Sequence, residues 1–223
     1  MTTRSYGQYC GLAHALEVVG ERWALLLVRD LMTGGAKRFT DLRRGLPKIP
    51  TNVLSARLKQ LESAGVVRRR LLARPETGVV YELTEYGHEL EDILVRLGHW
   101  GAKSMGDPRP GDTVNAETFL FGLRAMFRPE AALGLRASYE VRLGDIVVHV
   151  RVDDGALEVA DGPLPDADLA LEADLRLRRV LSGELHPDEA IESGALRLRG
   201  DRELLDRFLE MFPTPAAVFA LPA

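Results

Sequence analysis

The stretch "TNVLSARLKQLESAGVVRRR", residues 51–70, constrains the fold more than any other part of this chain. On a helical projection Leu54, Leu58 and Leu61 fall within about 60° of one another, which predicts a helix with a single buried seam. Gly65 stands where such a helix stops. Beyond it, "VVRRRLLA" (66–73) and "VVYEL" (79–83) are rich in β-formers, and the two runs are joined by the turn-forming "RPETG". The segments before residue 51 read as helices: "LAHALEVVG" (12–20) and "RWALLLVRDLMTG" (22–34), each ending in glycine, and "FTDLRRGL" (39–46), with Thr40 placed as an N-cap. Pro47 and Pro50 bracket a turn before residue 51. After the strands, "TEYGHELEDILVRLGHWGAKS" (84–104) repeats apolar residues at a helical period.

Charge divides the chain. Residues 1–110 hold 17 Lys and Arg against 12 Asp and Glu, a balance of +5, whereas residues 111–223 hold 12 against 21, a balance of −9. Within 34–74 eleven basic residues face only Asp41 and Glu62, which leaves +9. A basic stripe on an otherwise acidic chain is the electrostatic footprint of phosphate binding. The sign changes at "GDPRPGDT" (106–113), which has two glycines, two prolines and no apolar residue. The expected organisation is therefore a first domain over 1–105, a linker over 106–115 and a second domain over 116–223.

The face of the 51–63 helix opposite its leucines carries Asn52, Ser55, Ala56, Lys59 and Ser63. That face is small and hydrogen-bonding, and fits a major groove, where such side chains reach base edges and Lys reaches guanine or phosphate. Helix, tight turn, second helix and basic two-stranded hairpin, in that order, describe a winged helix. Arg68, Arg69, Arg70 and Arg74 lie on or beside the wing, within reach of phosphates or a narrow minor groove. Strand alternation allows either Arg69 or the pair Arg68 and Arg70 to face one side. A winged helix that contacts protein and not DNA is the competing class, and the basic stripe argues against it.

These same residues carry a family resemblance. Over about residues 8–104 the chain resembles the HxlR-type winged helix-turn-helix transcriptional regulators. The shared features are a cysteine before the first helix, Gly-x-(Arg/Lys)-Trp at 20–23, Arg-Phe-x-(Asp/Glu)-Leu at 38–42, Leu-Ser-x-Arg-Leu at 54–58 and Tyr-x-Leu-Thr-x-x-Gly at 81–87. The resemblance implies a homodimer, paired through the first and last helices of the domain, on an inverted-repeat operator in double-stranded DNA, with repression the expected outcome. Thr51, Asn52, Ser55 and Lys59 would face the groove. Arg38, Arg68, Arg70 and Arg74 complete the expected contacts, together with Arg57, which sits beside the leucine seam and should brace the domain or touch a phosphate. A cysteine at the place of Cys10 senses oxidants or electrophiles in some such regulators, which makes redox sensing an alternative mode of control. Cys10 also lies where a helix N-terminus can lower a thiol pKa.

The second half reads as α+β. "YEVRL" (139–143), "IVVHVRV" (146–152), "ALEVA" (156–160), "LALEA" (169–173) and "ALRLRG" (195–200) are strands. Helices are expected over 174–184, over 187–193 with Pro187 in its first turn, and from Asp201 onward. Residues 117–212 resemble a sterol carrier protein-type domain through "SGEL", "AIESGALRLRGD" and the terminal amphipathic helix. That resemblance implies an apolar cavity for a hydrophobic small-molecule effector; the competing reading is a domain that only extends the dimer interface. The walls of the cavity would be Phe119, Phe121, Leu123, Met126, Phe127, Phe208, Met211 and Phe212.

Catalytic chemistry finds no support. The five histidines lack metal-ligand spacing, and Cys10 is the sole cysteine, so no metal site is expected. "MTGGAK" (32–37) lacks the spacing of a phosphate-binding loop, and no nucleophile elbow occurs. No cofactor is expected. Without an apolar run of ~20 residues or an apolar signal core, the expected place is the cytoplasm and no membrane partner is expected.

Overall fold

A computed structural model describes residues 5–106, 108–109 and 111–215. The chain forms two compact units that divide between Leu94 and Val95.

The first unit opens with α1 (Gly11–Val19) and α2 (Ala24–Gly34), followed by β1 (Lys37–Arg38) and α3 (Phe39–Gly45). Next come α4 (Thr51–Ser63), β2 (Val67–Leu71), β3 (Val79–Leu83) and α5 (Glu85–His88), and then α6 (Glu91–Ala102), most of which belongs to the second unit. The three strands form an antiparallel sheet of order β1-β3-β2. Leu54, Leu58 and Leu61 are buried, as the periodicity requires, and join Leu27, Leu31, Leu42, Val66 and Leu83 in the core. Gly65 closes α4 with φ 74°. Its amide donates to Glu62 O and the Val66 amide to Leu61 O, which is the paired pattern of a left-handed helix stop.

Residues 84–104 depart from the single expected helix by breaking into α5 and α6. Thr84 is committed to the strand that precedes it: its hydroxyl donates to Gly65 O at 2.6 Å and accepts from the Gly87 amide at 3.0 Å. A Cβ at Gly87 would stand 2.1 Å from Val66 O, so this turn is pressed against the chain leaving α4. The Leu90 amide then bonds Gly87 O, and this tighter bond re-aims the chain into α6. β1 is a further element that the sequence pattern does not show.

The second unit holds α7 (Ala116–Met126), a 3-10 turn over Pro129–Ala132, β4 (Arg136–Leu143), β5 (Ile146–Asp153), β6 (Ala156–Asp161) and β7 (Leu169–Ala173). After these come α8 (Leu177–Leu181), α9 (Pro187–Glu192), β8 (Leu196–Gly200) and α10 (Glu203–Met211). Strand order is β6-β5-β4-β7-β8, with β4 and β7 parallel and the other neighbours antiparallel. α7 is absent from the expected helices, though its signal is present: Asn115 and Thr118 form a reciprocal capping box. The helix expected over 174–184 shrinks to α8 because the Asp174 carboxylate takes the Arg176 amide and starts a turn first. Asp201 accepts from the Glu203 amide at 2.9 Å one residue ahead of the N-cap position of α10, which falls on Arg202.

One sheet face carries Tyr139, Val141, Val148, Val150, Leu169 and Leu171, buried in a cluster with Leu123, Leu205 and Phe208. The other face is polar and is crossed by the β6–β7 connection. That strap is pinned by Glu140, whose carboxylate accepts from the Leu164 amide at 2.7 Å, while His149 Nδ1 lies 3.0 Å from Gly162 O. Burial by itself would raise the Glu140 carboxyl, but the Leu164 amide and the Arg142 guanidinium outweigh it and hold the group below its ordinary value.

Candidate nucleic-acid interface

α4 presents Thr51, Asn52, Ser55 and Lys59 to solvent, on the side away from its buried leucines. No β-branched or aromatic bulk stands among Asn52, Ser55 and Lys59, so a duplex edge can approach the backbone closely. The Ser55 hydroxyl donates to Thr51 O at 3.0 Å and so keeps its oxygen as an acceptor toward the outside. Arg57 is placed differently from these four. Its guanidinium bonds Glu21 at 3.0 Å and also Gln60, and Gln60 in turn donates to Glu17 O at 3.2 Å. Of the two roles open to Arg57 in the sequence, this arrangement is the brace, tying α4 to α1 and to the turn after α1. The tie spans 36 residues of sequence, so no local pattern could have announced it.

On the wing, register decides the faces. Arg68 pairs with Glu82, Arg69 with Tyr81 and Arg70 with Val80, so Arg68, Arg70 and Glu82 share one face and Arg69 takes the other. Arg68 Nε donates to Glu82 Oε1 at 2.8 Å, and Arg70 Nε donates to Oε2 at 2.9 Å. The hydrogen bond from Arg70 is the largest influence on the Glu82 carboxyl; burial opposes it, and the hydrogen bond from Arg68 with the charges of both arginines leaves the group below its ordinary value. The Arg69 guanidinium lies over the Tyr81 ring, 5.9 Å from its centroid. Arg38 pairs with Val80 from the other side, and its guanidinium lies across Gly78, where a Cβ would stand 2.5 Å from Nη1. Arg74 is exposed in the turn between β2 and β3. Glu82 is the member of this group that sequence reasoning missed, because only the register shows which arginines it meets.

Two further features lie away from the exposed face of α4 and the wing. α1 exposes Leu12 and Leu16, and α6 exposes Ile93, Leu97 and Trp100 at the spacing of one helical stripe. Cys10 is exposed at the start of α1, and its thiol is lowered from its ordinary value by hydrogen bonding to the Ala13 and Leu12 amides. In the second unit Phe208, Met211 and Phe212 are fully buried, and Leu123 is nearly so. Phe208 stacks 4.7 Å from Phe212 and 5.2 Å from Tyr139, and Phe127 lies 5.5 Å from Phe212. Phe119 and Phe127 pack on the rim of this cluster, whereas Phe121 and Met126 are half-buried on α7, with the Phe121 ring against Gly98 of α6. Of the candidate pocket walls, Leu123, Phe208, Met211 and Phe212 thus fill a packed core. Burial drives the Tyr139 hydroxyl up to about 12, and it has no hydrogen-bond partner among the described residues. Also among the described residues, no group of acidic, His and Cys side chains is placed to hold a metal ion, and no helix is long and apolar enough to cross a membrane.

Residues 18–108 match the family of HxlR-like helix-turn-helix proteins. Two curated relatives come from Bacillus subtilis. The HTH-type transcriptional regulator YodB is 35% identical over 103 residues, which are 46% of this chain and 88% of YodB. The uncharacterized HTH-type regulator YtcD is 41% identical over 87 residues, 39% of this chain and 68% of YtcD. The chain belongs to the HxlR-like helix-turn-helix family. This HxlR-like protein is accordingly a DNA-binding regulator of transcription, and the family match covers α4 and the wing with their basic residues. Residues beyond 108 fall outside that match. Residues 125–221 match instead the C-terminal domain of alkyl sulfatases. A solved structure of the sec-alkylsulfatase Pisa1 from Pseudomonas sp. aligns at 20% identity and a TM-score of 0.41, over 48% of this chain and 17% of that one. The second unit of the HxlR-like protein is α+β, as the strand and helix patterns require.

Proposed function

We propose that this HxlR-like protein is a cytoplasmic, homodimeric repressor that reads an inverted-repeat operator and that it acts as a regulator, not an enzyme. The observation that carries this reading is the exposed small polar face of α4, Thr51, Asn52, Ser55 and Lys59, set on a chain whose 34–74 segment carries +9. Asn52, Ser55 and Lys59 read base edges, while Arg38, Arg68, Arg70 and Arg74 hold phosphates. The uncovered apolar stripe of α6 and the exposed leucines of α1 supply the dimer contact. A two-fold dimer sets its half-sites one helical turn apart, or a multiple of it. The second unit, read as sterol carrier protein-like, is the sensing module for a hydrophobic molecule.

The test is binding to a site selected from a randomised duplex pool by the wild-type protein. Asn52→Ala and Lys59→Ala should each weaken that site by ~1–3 kcal/mol and leave a scrambled duplex much less affected. Equal weakening of both duplexes would show that α4 does not read bases.

Control through Cys10 is a second reading, favoured by the exposed thiol and the helix amides that stabilise its thiolate. No other thiol exists in the chain, so oxidation would join two subunits or capture a small thiol. Diamide or a quinone should release wild-type protein from the selected site and leave the Cys10→Ser protein bound. Unchanged release in Cys10→Ser would remove this reading.

A further inference from the structure

We propose that Glu82 is a specificity-determining residue of the wing: it fixes Arg68 and Arg70 as one oriented pair for matched DNA and cancels one of their two charges against unmatched DNA. The proposal rests on the reading that the wing touches DNA.

The geometry is that of a shared support. Each carboxylate oxygen of Glu82 takes one guanidinium through its Nε, at 2.8 Å and 2.9 Å. Each arginine thereby keeps its two Nη nitrogens for an external partner, and these are the fork that a phosphate or guanine accepts end-on. The side chain of Glu82 is 15% exposed, while those of Arg68 and Arg70 are 65% and 48% exposed. The acid therefore lies beneath and the two bases lie outside. Ion pairs as exposed as these contribute little to folding, so stability does not account for the arrangement. Binding does. An arginine already held in place loses less rotamer freedom when it meets its target. The negative charge acts in the opposite sense, because it weakens attraction to any phosphate backbone whatever its sequence.

The two roles separate by substitution. Glu82→Gln keeps the shape and removes the charge. Binding to a scrambled duplex should then rise by about 8-fold at 0.1 M salt and become steeper in salt by about one counterion, the amount one more phosphate contact supplies. Affinity for the selected site should rise less or fall, so the ratio of matched to unmatched affinity drops by ~5-fold or more. Glu82→Asp keeps the charge but shortens the reach, so its salt slope should stay at the wild-type value while matched affinity falls. Far-UV melting of each variant checks that the fold is intact.

An unchanged ratio in Glu82→Gln, whether both affinities rise together or neither moves, overturns the proposal. The double variant Arg68→Gln, Arg70→Gln tests the underlying reading separately. If it leaves affinity and salt slope at wild-type values, the wing does not contact DNA and both ideas fall. If it weakens binding while Glu82→Gln preserves the ratio, the wing contact stands and the role of Glu82 is withdrawn.

Discussion

Leu58→Ala is expected to cost the first unit ~2–5 kcal/mol, a large share of the ~5–15 kcal/mol that a domain has in total. Leu58 is 1% exposed and sits in the middle of the α4 seam between Leu54 and Leu61, so no neighbouring side chain is free to swing into the space. The cost has two parts, the lost transfer of the side chain out of water and the cavity that remains. Chemical denaturation followed by far-UV circular dichroism measures it, and the midpoint should fall with little change in slope. Operator binding should fall as well, because α4 holds its outer face in position only while its inner face is packed. Lys59, the next residue, makes the informative contrast. Lys59→Ala removes an exposed cation and should shift stability by no more than ~0.5 kcal/mol while still weakening the selected site. A Leu58→Ala protein that unfolds within ~1 kcal/mol of wild type would mean that α4 is not seated as described.

Phe208→Ala is expected to be at least as damaging to the second unit, at ~3–5 kcal/mol. Phe208 has no exposed surface, and it joins α10 to the sheet through Tyr139 and to the start of the next segment through Phe212. Removing the ring takes away two tilted aromatic contacts in addition to the buried area. It also opens an apolar space beside the ring of Tyr139, whose hydroxyl is already buried without a partner among the described residues. The near-UV circular dichroism of the tyrosines should weaken along with the unfolding midpoint. A loss under ~1 kcal/mol would show that α10 does not close this core. It would also strengthen the case for a loosely filled, ligand-accepting interior.

Elements with a strong period are legible in the chain. The α4 seam, the Gly65 stop and the strand runs of both units arise from side-chain spacing and from the few conformations open to turns. Legibility fails where neighbours distant in sequence set the outcome. The helix expected over 84–104 breaks because Thr84 and Gly87 are engaged by the Gly65–Val66 backbone, roughly twenty residues upstream. α7 is a different case, since its capping box is a local signal that apolar periodicity alone overlooks. β1 is two residues long and exists only because β3 pairs with it.

The candidate site divides along the same line. Which residues of α4 face outward, and that Arg68 and Arg70 share a side of the wing, were determined by the sequence alone, because helical and strand periods are properties of the backbone and act over a few residues. Which of those charges are free to meet DNA was decided only by the tertiary structure. Arg57 lies one residue before the seam leucine Leu58, yet it is held by Glu21, 36 residues away. Arg68 and Arg70 are adjacent by alternation, yet Glu82, 14 and 12 residues on, stands between them. An ion pair forms where the fold brings opposite charges within about 4 Å, and sequence spacing carries no record of that approach.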